Sequence, residues 1–284
     1  MLSQRRFGSD GEQMHRYRAL FVSDVHLGTL DSQSQFLKEL LESIECETLY
    51  LVGDIFDLWK MKHGVHWSHS TNAVLQVIFN MAKRGTRVVY IPGNHDEMAR
   101  AYCGLTVSGI EILEQDVHTT LNGKRFLVLH GDCFDDLVKK TSKLQLVGTA
   151  FYEVMMIISR HYNRLRRLLG YSYWSFAAFI KYKFKEAVRY IQSFEIAAHA
   201  YAKDQGYDGI ICGHIHHPNR IEQGGVTYLN TGDWVEHCTA IGETMEGRLA
   251  HIDWLTERLA DTALQVVPGR AGLAGSDVGV GKAA

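Results

Sequence analysis

The chain has 284 residues, a formal net charge of −2, 46% apolar residues and 22% charged residues. This length and composition fit one domain, or one domain with an insertion, and provide enough apolar residues for a sizeable core. A nearly neutral chain is not drawn to nucleic acid by its total charge, so no nucleic-acid partner is expected. Five dispersed cysteines without a C-x-x-C pair argue against a disulfide framework and favour a reducing compartment.

The two ends of the chain are predicted to be flexible. Residues 1–16 are polar and lack the apolar segment of a signal peptide. From about Arg258 the chain turns to Gly, Ala, Ser and Asp, which predicts a flexible tail over 258–284. No apolar run reaches the roughly 18 residues that a bilayer-spanning helix needs, so the expected location is the cytoplasm.

Five short apolar runs, each followed by a polar cluster, predict buried strands because they are rich in Val, Ile, Leu and Tyr. They cover Ala19–Ser23, Leu49–Val52, Val88–Ile91, Phe126–Leu129 and Gly209–Cys212. Between the first three runs, the amphipathic stretches Gln33–Ile44 and Asn72–Arg84 predict helices. The alternation predicts an α/β fold with a largely buried sheet, and further short strands are expected over Gly225–Trp254.

A segment of different character, from Leu137 to about Gln205, separates the fourth and fifth predicted strands. It carries Leu, Ile, Phe, Tyr and Trp at helical spacing, and Lys and Arg far outnumber acids there. This composition predicts a helical insertion that is both apolar and basic. Such a segment fits a lid that contacts anionic lipid headgroups. An ordinary helical cap on a soluble pocket is the alternative.

The polar clusters follow the carboxyl ends of the predicted strands, where α/β sheets bind ligands. They read D-x-H, G-D-x-x-D, G-N-H-D, H-G-D and G-H-x-H in chain order. One such cluster is as compatible with a turn as with a metal site. Five that all carry metal-ligand residue types favour a metal site.

Phosphoryl transfer explains why these residue types would be gathered. Two cations about 3.5–4 Å apart neutralise the phosphate, lower the pKa of a bridging water and clamp the in-line transition state. Side chains two apart in a strand point the same way, so Asp24 with His26, and His214 with His216, are expected to face one site. Gly53 is expected to let the backbone pass close to a metal. The sequence predicts seven metal ligands: Asp24, His26, Asp54, Asn94, His130, His214 and His216.

The ordered motifs resemble the calcineurin-like metallophosphoesterases over roughly Arg18 to Trp254. The resemblance implies a four-layer αββα sandwich over residues 17–257, with a helical lid insertion at about 137–205. It implies two metals that share Asp54. One would bind Asp24, His26, Asp54 and His216, and the other Asp54, Asn94, His130 and His214. It also implies that His95 contacts the phosphate and protonates the leaving oxygen, oriented by Asp96.

Several other residues have two open interpretations. Asp57 and Asp132 either fix the orientation of metal ligands or make plain loop hydrogen bonds. Cys133 is interpreted as a buried small residue rather than a nucleophile. The series His63, His66 and His69 is interpreted as a loop face beside the site rather than a zinc site.

Four features resemble the UDP-2,3-diacylglucosamine pyrophosphatase branch of this family. They are SDVHLG at Ser23–Gly28, GDIFDLW at Gly53–Trp59, GHIHHP at Gly213–Pro218, and the insertion after H-G-D. The resemblance implies hydrolysis of a lipid-linked UDP-sugar in lipid A biosynthesis, with two Mn²⁺ ions, or Fe or Zn in their place. It also implies peripheral contact with the anionic inner face of the cell membrane. The expected substrate-binding residues are Asn94, His95, Arg164, Arg167, Lys181 and His214.

The chain departs from that branch at His95, where its typical members carry Arg, and in the segment Asn230–Trp234, which they lack in this form. Another phosphodiester or nucleotide substrate therefore stays open. A metal-binding scaffold without turnover is the second alternative.

Overall fold

The computed structural model describes residues 6–7, 13–135 and 176–258. The strands are β1 (Arg6–Phe7), β2 (Gln13–Val22), β3 (Ile44–Val52), β4 (Arg87–Ile91), β5 (Thr106–Val107), β6 (Ile110–Ile112), β7 (Asp116–Thr119), β8 (Arg125–Val128), β9 (Gly209–Cys212), β10 (Asn219–Gln223), β11 (Val226–Asn230), β12 (Thr239–Thr244) and β13 (Leu249–Asp253). The α-helices are α1 (Ser34–Ser43), α2 (Leu58–Met61), α3 (His69–Lys83) and α4 (Phe176–Asp204). Short 3₁₀ helices cover Glu97–Tyr102 and Asp132–Phe134.

The strands form two sheets. The larger sheet has eight strands, with β13-β12-β2-β3-β4-β6-β5 in order and β1 paired to β2. The smaller sheet has five strands in the order β10-β11-β9-β8-β7. Within the larger sheet β2, β3, β4 and β6 are parallel, and within the smaller one β8, β9 and β11 are parallel. The five runs that the sequence assigns to one buried sheet therefore divide between two sheets.

Three apolar clusters hold four layers together. Leu37 and Val74 of the helices α1 and α3 pack with Leu20 of the larger sheet. Between the sheets, Phe21 packs with Ile211. The end of β2, Ala19–Val22, thus buries alternate residues on opposite faces, which is why this part of the strand is a continuous apolar run. The third cluster joins the smaller sheet to α4, so the layers are helix, sheet, sheet and helix, and the predicted αββα sandwich is confirmed.

Helices α1 and α3 confirm the two helices predicted between the first three strands. Helix α3 starts three residues before the predicted Asn72 because Ser68 caps it. The Ser68 Oγ accepts a hydrogen bond from the Thr71 backbone N–H at 3.1 Å, which satisfies one free donor of the first turn.

Helix α4 changes the predicted boundary of the insertion. Its carboxyl half places Phe194, Ala198 and Ala202 in the core against Ile210 and Tyr228. This half is therefore the outer layer of the sandwich, and the predicted insertion boundary near 205 lies too far along the chain. Residues 137–175 of the predicted insertion lie outside the described residues.

Strand structure also begins earlier than predicted. Strand β2 starts at Gln13, and Arg6 pairs with Met14, within the segment that the sequence analysis assigns to a flexible end. In the portion of the chain that the structure covers, no helix is both long and apolar enough to cross a membrane.

Candidate metal centre and active site

The predicted ligands gather in two adjoining groups after β2, β3, β4, β8 and β9. In the first group, His216 Nε2 lies 3.3 Å from Asp24 Oδ1 and 3.2 Å from His26 Nε2. These three side chains offer donor atoms that all lie within 4.8 Å of one another. Together with Asp54 they are the ligand set that the resemblance implies for one metal.

The second group contains Asp54, Asn94, His130 and His214. His130 Nε2 lies 3.4 Å from Asp54 Oδ2 and 3.3 Å from Asn94 Oδ1. The donor atoms of Asp54, His130 and His214 lie within 4.8 Å of one another. This is the ligand set implied for the other metal, so all seven predicted ligands come together.

The hydrogen bonds of these groups fit metal ligation. His130 donates from Nδ1 to the Val52 carbonyl at 3.0 Å, which leaves Nε2 as an acceptor. That nitrogen faces the Asp54 carboxylate and the Asn94 amide oxygen, so the three atoms can hold either a proton on the imidazole or a cation between them. Asp24 Oδ1 is buried, and no hydrogen bond reaches it from the described residues. A cation satisfies such a set of acceptors, and hard divalent ions favour this mixture of oxygen and imidazole donors.

The electrostatics favour positive charge at the same place. Burial lowers the pKa of His130, but the carboxylates of Asp54 and Asp24 outweigh it and raise that pKa to about 10. Burial raises the pKa of Asp24, but the adjacent imidazoles of His216, His130 and His26 outweigh it, and the pKa lies well below its usual value. The carboxylates therefore stay ionised, and positive charge is stabilised between them.

The ligands reach the centre from strained loops rather than from strands. Five of them have backbone in the left-handed region: Asp24 (φ 52°), His26 (φ 51°), Asp54 (φ 52°), His214 (φ 71°) and His216 (φ 52°). Such conformations cost about 1–3 kcal/mol each and persist where surrounding structure imposes them. The strand alternation predicted for the D-x-H and H-x-H pairs is wrong, because β2 ends at Val22 and β9 at Cys212.

Three glycines make room for ligand side chains. A Cβ at Gly53 would overlap the imidazole of His130, and one at Gly93 would lie 2.7 Å from the Asp54 backbone nitrogen. A Cβ at Gly213 would lie 2.7 Å from the Cβ of Ser23. Gly53 therefore lets a ligand, rather than a metal, approach the backbone closely.

Asp57 is the residue that orients His95. Its Oδ1 lies 3.0 Å from His95 Nδ1, and its Oδ2 lies 3.1 Å from His26 Nδ1. Burial raises the pKa of Asp57, but the hydrogen bonds of His26 and His95 outweigh it, so the pKa is lowered and the carboxylate stays ionised. Asp57 thus holds a predicted metal ligand and a predicted catalytic residue at once, and of its two interpretations the orienting one is supported.

His95 is placed to meet a substrate. Its Nε2 lies 4.0 Å from Asp54 Oδ2, and 24% of its side chain is exposed. Burial lowers the pKa of His95, but the Asp57 hydrogen bond and the charge of Asp54 outweigh it and raise the pKa. The half-exposed Trp59 ring lies 4.5 Å from the imidazole and forms a wall on one side.

The role predicted for Asp96 is wrong. Asp96 is fully buried, and its carboxylate accepts hydrogen bonds from the backbone N–H groups of Gly93 (2.6 Å) and Ile55 (2.8 Å), among others. Both oxygens are therefore used to join the two loops that carry Asp54 and Asn94. The signal that pointed to Asp57 was already in the sequence, in the G-D-x-x-D spacing.

Three acidic or phenolic residues near the ligands were missed. Asp135 Oδ1 lies 2.9 Å from His214 Nε2 and accepts a hydrogen bond from the Tyr190 hydroxyl at 2.6 Å. Asp233 Oδ2 lies 3.9 Å from His216 Nδ1. Tyr190 lies 55 residues from Asp135 in the chain, so no local pattern could connect them.

The remaining predicted residues are placed as follows. Asp132 accepts a hydrogen bond from Arg100 at 2.7 Å, in keeping with a loop contact. Cys133 is exposed, so its interpretation as a buried residue is wrong. His63, His66 and His69 form no metal-ligand group within the described ranges. Arg164 and Arg167 lie outside the described residues, as does the side chain of Lys181.

Comparison with known proteins agrees with this geometry. Residues 17–218 match the calcineurin-like phosphoesterase family. The chain belongs to that family. It is accordingly a metal-dependent hydrolase, and the two donor groups are its candidate sites for divalent ions.

Two relatives have the same name. A UDP-2,3-diacylglucosamine hydrolase of Aliivibrio fischeri is 32% identical over 127 residues, which are 42% of this chain and 50% of that protein. One of Xanthomonas campestris pv. campestris is 26% identical over 263 residues, covering 80% of this chain and 96% of that protein. The match thus spans half the length of the first relative and nearly all of the second.

Solved structures resemble the chain only loosely. A novel archaeal phosphodiesterase is 12% identical and gives a TM-score of 0.37. The match covers 82% of this chain and 98% of the phosphodiesterase chain. Wild-type Vps29 complexed with Zn²⁺ from Entamoeba histolytica is 15% identical and gives a TM-score of 0.36. The match covers 83% of this chain and 98% of the Vps29 chain.

Proposed function

We propose that the chain hydrolyses the pyrophosphate bond of UDP-2,3-diacylglucosamine or a closely related lipid-linked UDP-sugar. The products would be UMP and an acylated sugar 1-phosphate. The proposal rests on the two adjoining donor groups around Asp54, supported by the relative that aligns over 263 residues. The proposed place of the reaction is the cytoplasmic face of the membrane that holds the lipid.

The two donor groups support a proposal for the metal ligands. One ion would bind Asp24, His26, Asp54 and His216, and the other Asp54, Asn94, His130 and His214. We propose Mn²⁺ for both, with Fe or Zn as substitutes that a titration distinguishes. Two bound ions supply charge neutralisation and a water of lowered pKa.

His95 and Asp57 supply the proton chemistry. Asp57 fixes the Nδ1 of His95 at 3.0 Å, which leaves the exposed Nε2 edge toward Asp54 and the substrate. From there His95 would contact the scissile phosphate and donate a proton to the leaving oxygen. Such general acid catalysis typically contributes about 10²–10⁴-fold to the rate.

The second candidate is hydrolysis of another phosphodiester or nucleotide. The observation that favours it is His95 itself, which stands where the lipid-specific branch typically carries Arg. An imidazole held by Asp57 suits a proton donor, whereas an Arg would supply only charge and fixed hydrogen bonds.

Four substrates separate the two candidates. The full chain with Mn²⁺ is assayed for UMP release from UDP-2,3-diacylglucosamine and from UDP-glucosamine, and for hydrolysis of a nucleotide and of a chromogenic phosphodiester. The lipid assignment predicts a strong preference for the diacylated substrate, mainly in kcat/KM, because each buried methylene contributes about 0.8 kcal/mol. Equal kcat/KM for acylated and deacylated substrates would support the second candidate. No Mn²⁺-dependent turnover of any of them would favour the scaffold.

A further inference from the structure

Helix α4 contacts the candidate metal centre through Tyr190. The Tyr190 hydroxyl donates a hydrogen bond to Asp135 Oδ1 at 2.6 Å, and the same oxygen lies 2.9 Å from His214 Nε2. The hydroxyl itself lies 3.5 Å from that nitrogen. Tyr190 and Asp135, from two separate chain segments, therefore meet at Nε2 of His214, a predicted metal ligand.

This contact determines which nitrogen of His214 is available. A neutral imidazole donates from one nitrogen and accepts at the other, and the acceptor is the one that binds a metal. With the Asp135 carboxylate at Nε2, the proton lies on Nε2 and the lone pair on Nδ1. His214 belongs to the donor group with Asp54 and His130, and in this tautomer Nδ1 is its metal-binding nitrogen.

The backbone of His214 alone does not fix its ring. The residue has φ 71°, and its backbone N–H donates to Asp24 Oδ2 at 3.0 Å. These features place the Cα, but rotation about the side-chain bonds must be limited by other groups. The Phe194 ring lies 5.8 Å from the imidazole on one side, and Asp135 provides the directional contact.

We propose that Asp135 and Tyr190 are positioning residues that hold the His214 imidazole with Nδ1 toward one of the two metals. Tyr190 anchors the carboxylate to α4, so the helix that forms the outer layer of the sandwich also aligns the metal centre. This inference rests on the proposed two-metal site. A carboxylate that orients a ligating histidine in this way typically contributes about 10–100-fold to metal affinity.

The test measures Mn²⁺ binding to the metal-depleted full chain by calorimetry, without substrate. We expect Asp135→Ala to weaken one of the two binding events about 10–100-fold and to leave the other unchanged. Asp135→Asn should restore part of that loss, because its amide oxygen accepts the same hydrogen bond. Tyr190→Phe should weaken the same event about 2- to 10-fold, as expected for one lost hydrogen bond. The matched controls on α4 are Asp204→Ala, which is exposed, and Tyr201→Phe, which packs on Phe134.

The outcomes are distinct. Two Mn²⁺ binding events of wild-type affinity in a folded Asp135→Ala variant would overturn the inference. If that variant does not fold, the Mn²⁺ affinities of Tyr190→Phe test the inference, because this variant keeps the aromatic ring and loses only the hydroxyl. Unchanged affinity for both ions in Tyr190→Phe would then overturn the inference. Fewer than two binding events in the wild type would refute the two-metal site itself, and this inference with it. Equal weakening by Tyr201→Phe would show a general effect of the helix and count against the pair.

Discussion

Replacing Asp57 by Asn tests the main correction that the structure makes to the sequence analysis. The Asp57 carboxylate holds His95 at 3.0 Å with one oxygen and His26 at 3.1 Å with the other. Asparagine has nearly the same shape but keeps only one acceptor oxygen. One of the two imidazoles must then lose its hydrogen bond and face an N–H group instead.

The expected size follows from the two contacts. A hydrogen bond to a charged group contributes about 1.5–3 kcal/mol, which corresponds to about 10- to 160-fold in kcat if it aligns the general acid. The contact to His26 should add a loss of about 10–100-fold in affinity for one metal. We therefore expect a lower kcat at saturating Mn²⁺ and a higher Mn²⁺ requirement.

A double-variant cycle separates the two effects. Hydrolysis of a chromogenic phosphodiester is measured against Mn²⁺ concentration for the wild type, Asp57→Asn, His95→Ala and the double variant. If Asp57 acts on turnover through His95, its effect on kcat at saturating Mn²⁺ should vanish in the His95→Ala background, while its effect on Mn²⁺ affinity remains. Fully additive losses in kcat, or a wild-type kcat in Asp57→Asn, would refute the reasoning.

Three further predictions concern other residues. Asp96→Asn should lower the free energy of unfolding by about 1–3 kcal/mol in denaturant titrations, because buried backbone N–H groups lose a carboxylate acceptor. A variant of wild-type stability with a low kcat would instead support the catalytic role predicted for Asp96. Asp54→Asn should abolish turnover and reduce the content of both metals, measured by elemental analysis, since both proposed ligand sets include that carboxylate. Burial lowers the pKa of His118 from 6.5, so the unfolded chain takes up a proton more readily, and stability should fall as pH drops below about 6.5. In denaturant titrations with a chelator present, the free energy of unfolding of His118→Gln should fall less steeply with decreasing pH than that of the wild type. An identical pH dependence of the two proteins would contradict this prediction.

The five apolar runs could be predicted as strands because they lie in the parts of β2, β3, β4, β8 and β9 that are largely buried. Leu20 and Phe21 lie in different apolar clusters, so both faces of β2 are apolar at this point. The apolar run could therefore be recognised in the sequence. The division into two sheets could not be predicted from these runs, because a strand buried by a second sheet and one buried by a helix have the same composition. Helix α4 was assigned to the insertion for the same reason, since Phe194 and Ala198 look alike in a lid and in a core.

The residues of the two donor groups could be predicted because each falls in a short motif that joins residue types metals require. The orienting residues could not be assigned so well. Asp57 and Asp96 are both acids near His95 in the sequence, and only the direction of their carboxylates separates the one that faces imidazoles from the one that faces backbone N–H groups. Tyr190 had no signal, because its partner Asp135 is remote in the chain.

The strained loops of the metal centre support one another through the backbone. The backbone N–H of Asp24 donates to the Gly53 carbonyl at 3.0 Å, and the backbone N–H of His26 donates to the Asp54 carbonyl at 2.9 Å. The first two loops of the candidate centre are therefore joined by backbone hydrogen bonds. The backbone N–H of Trp234 donates to the Asp24 carbonyl at 3.0 Å and joins a third loop to the first two.

Asp96 adds the loop of Asn94 to this framework through its contacts with Gly93 and Ile55. These hydrogen bonds offset the cost of the left-handed ligand residues, about 1–3 kcal/mol each. The side chains of the candidate centre are therefore held in place by hydrogen bonds between their loops. A centre arranged in this way can direct its charge at a phosphate without reorganising during the reaction, which is the main source of electrostatic catalysis.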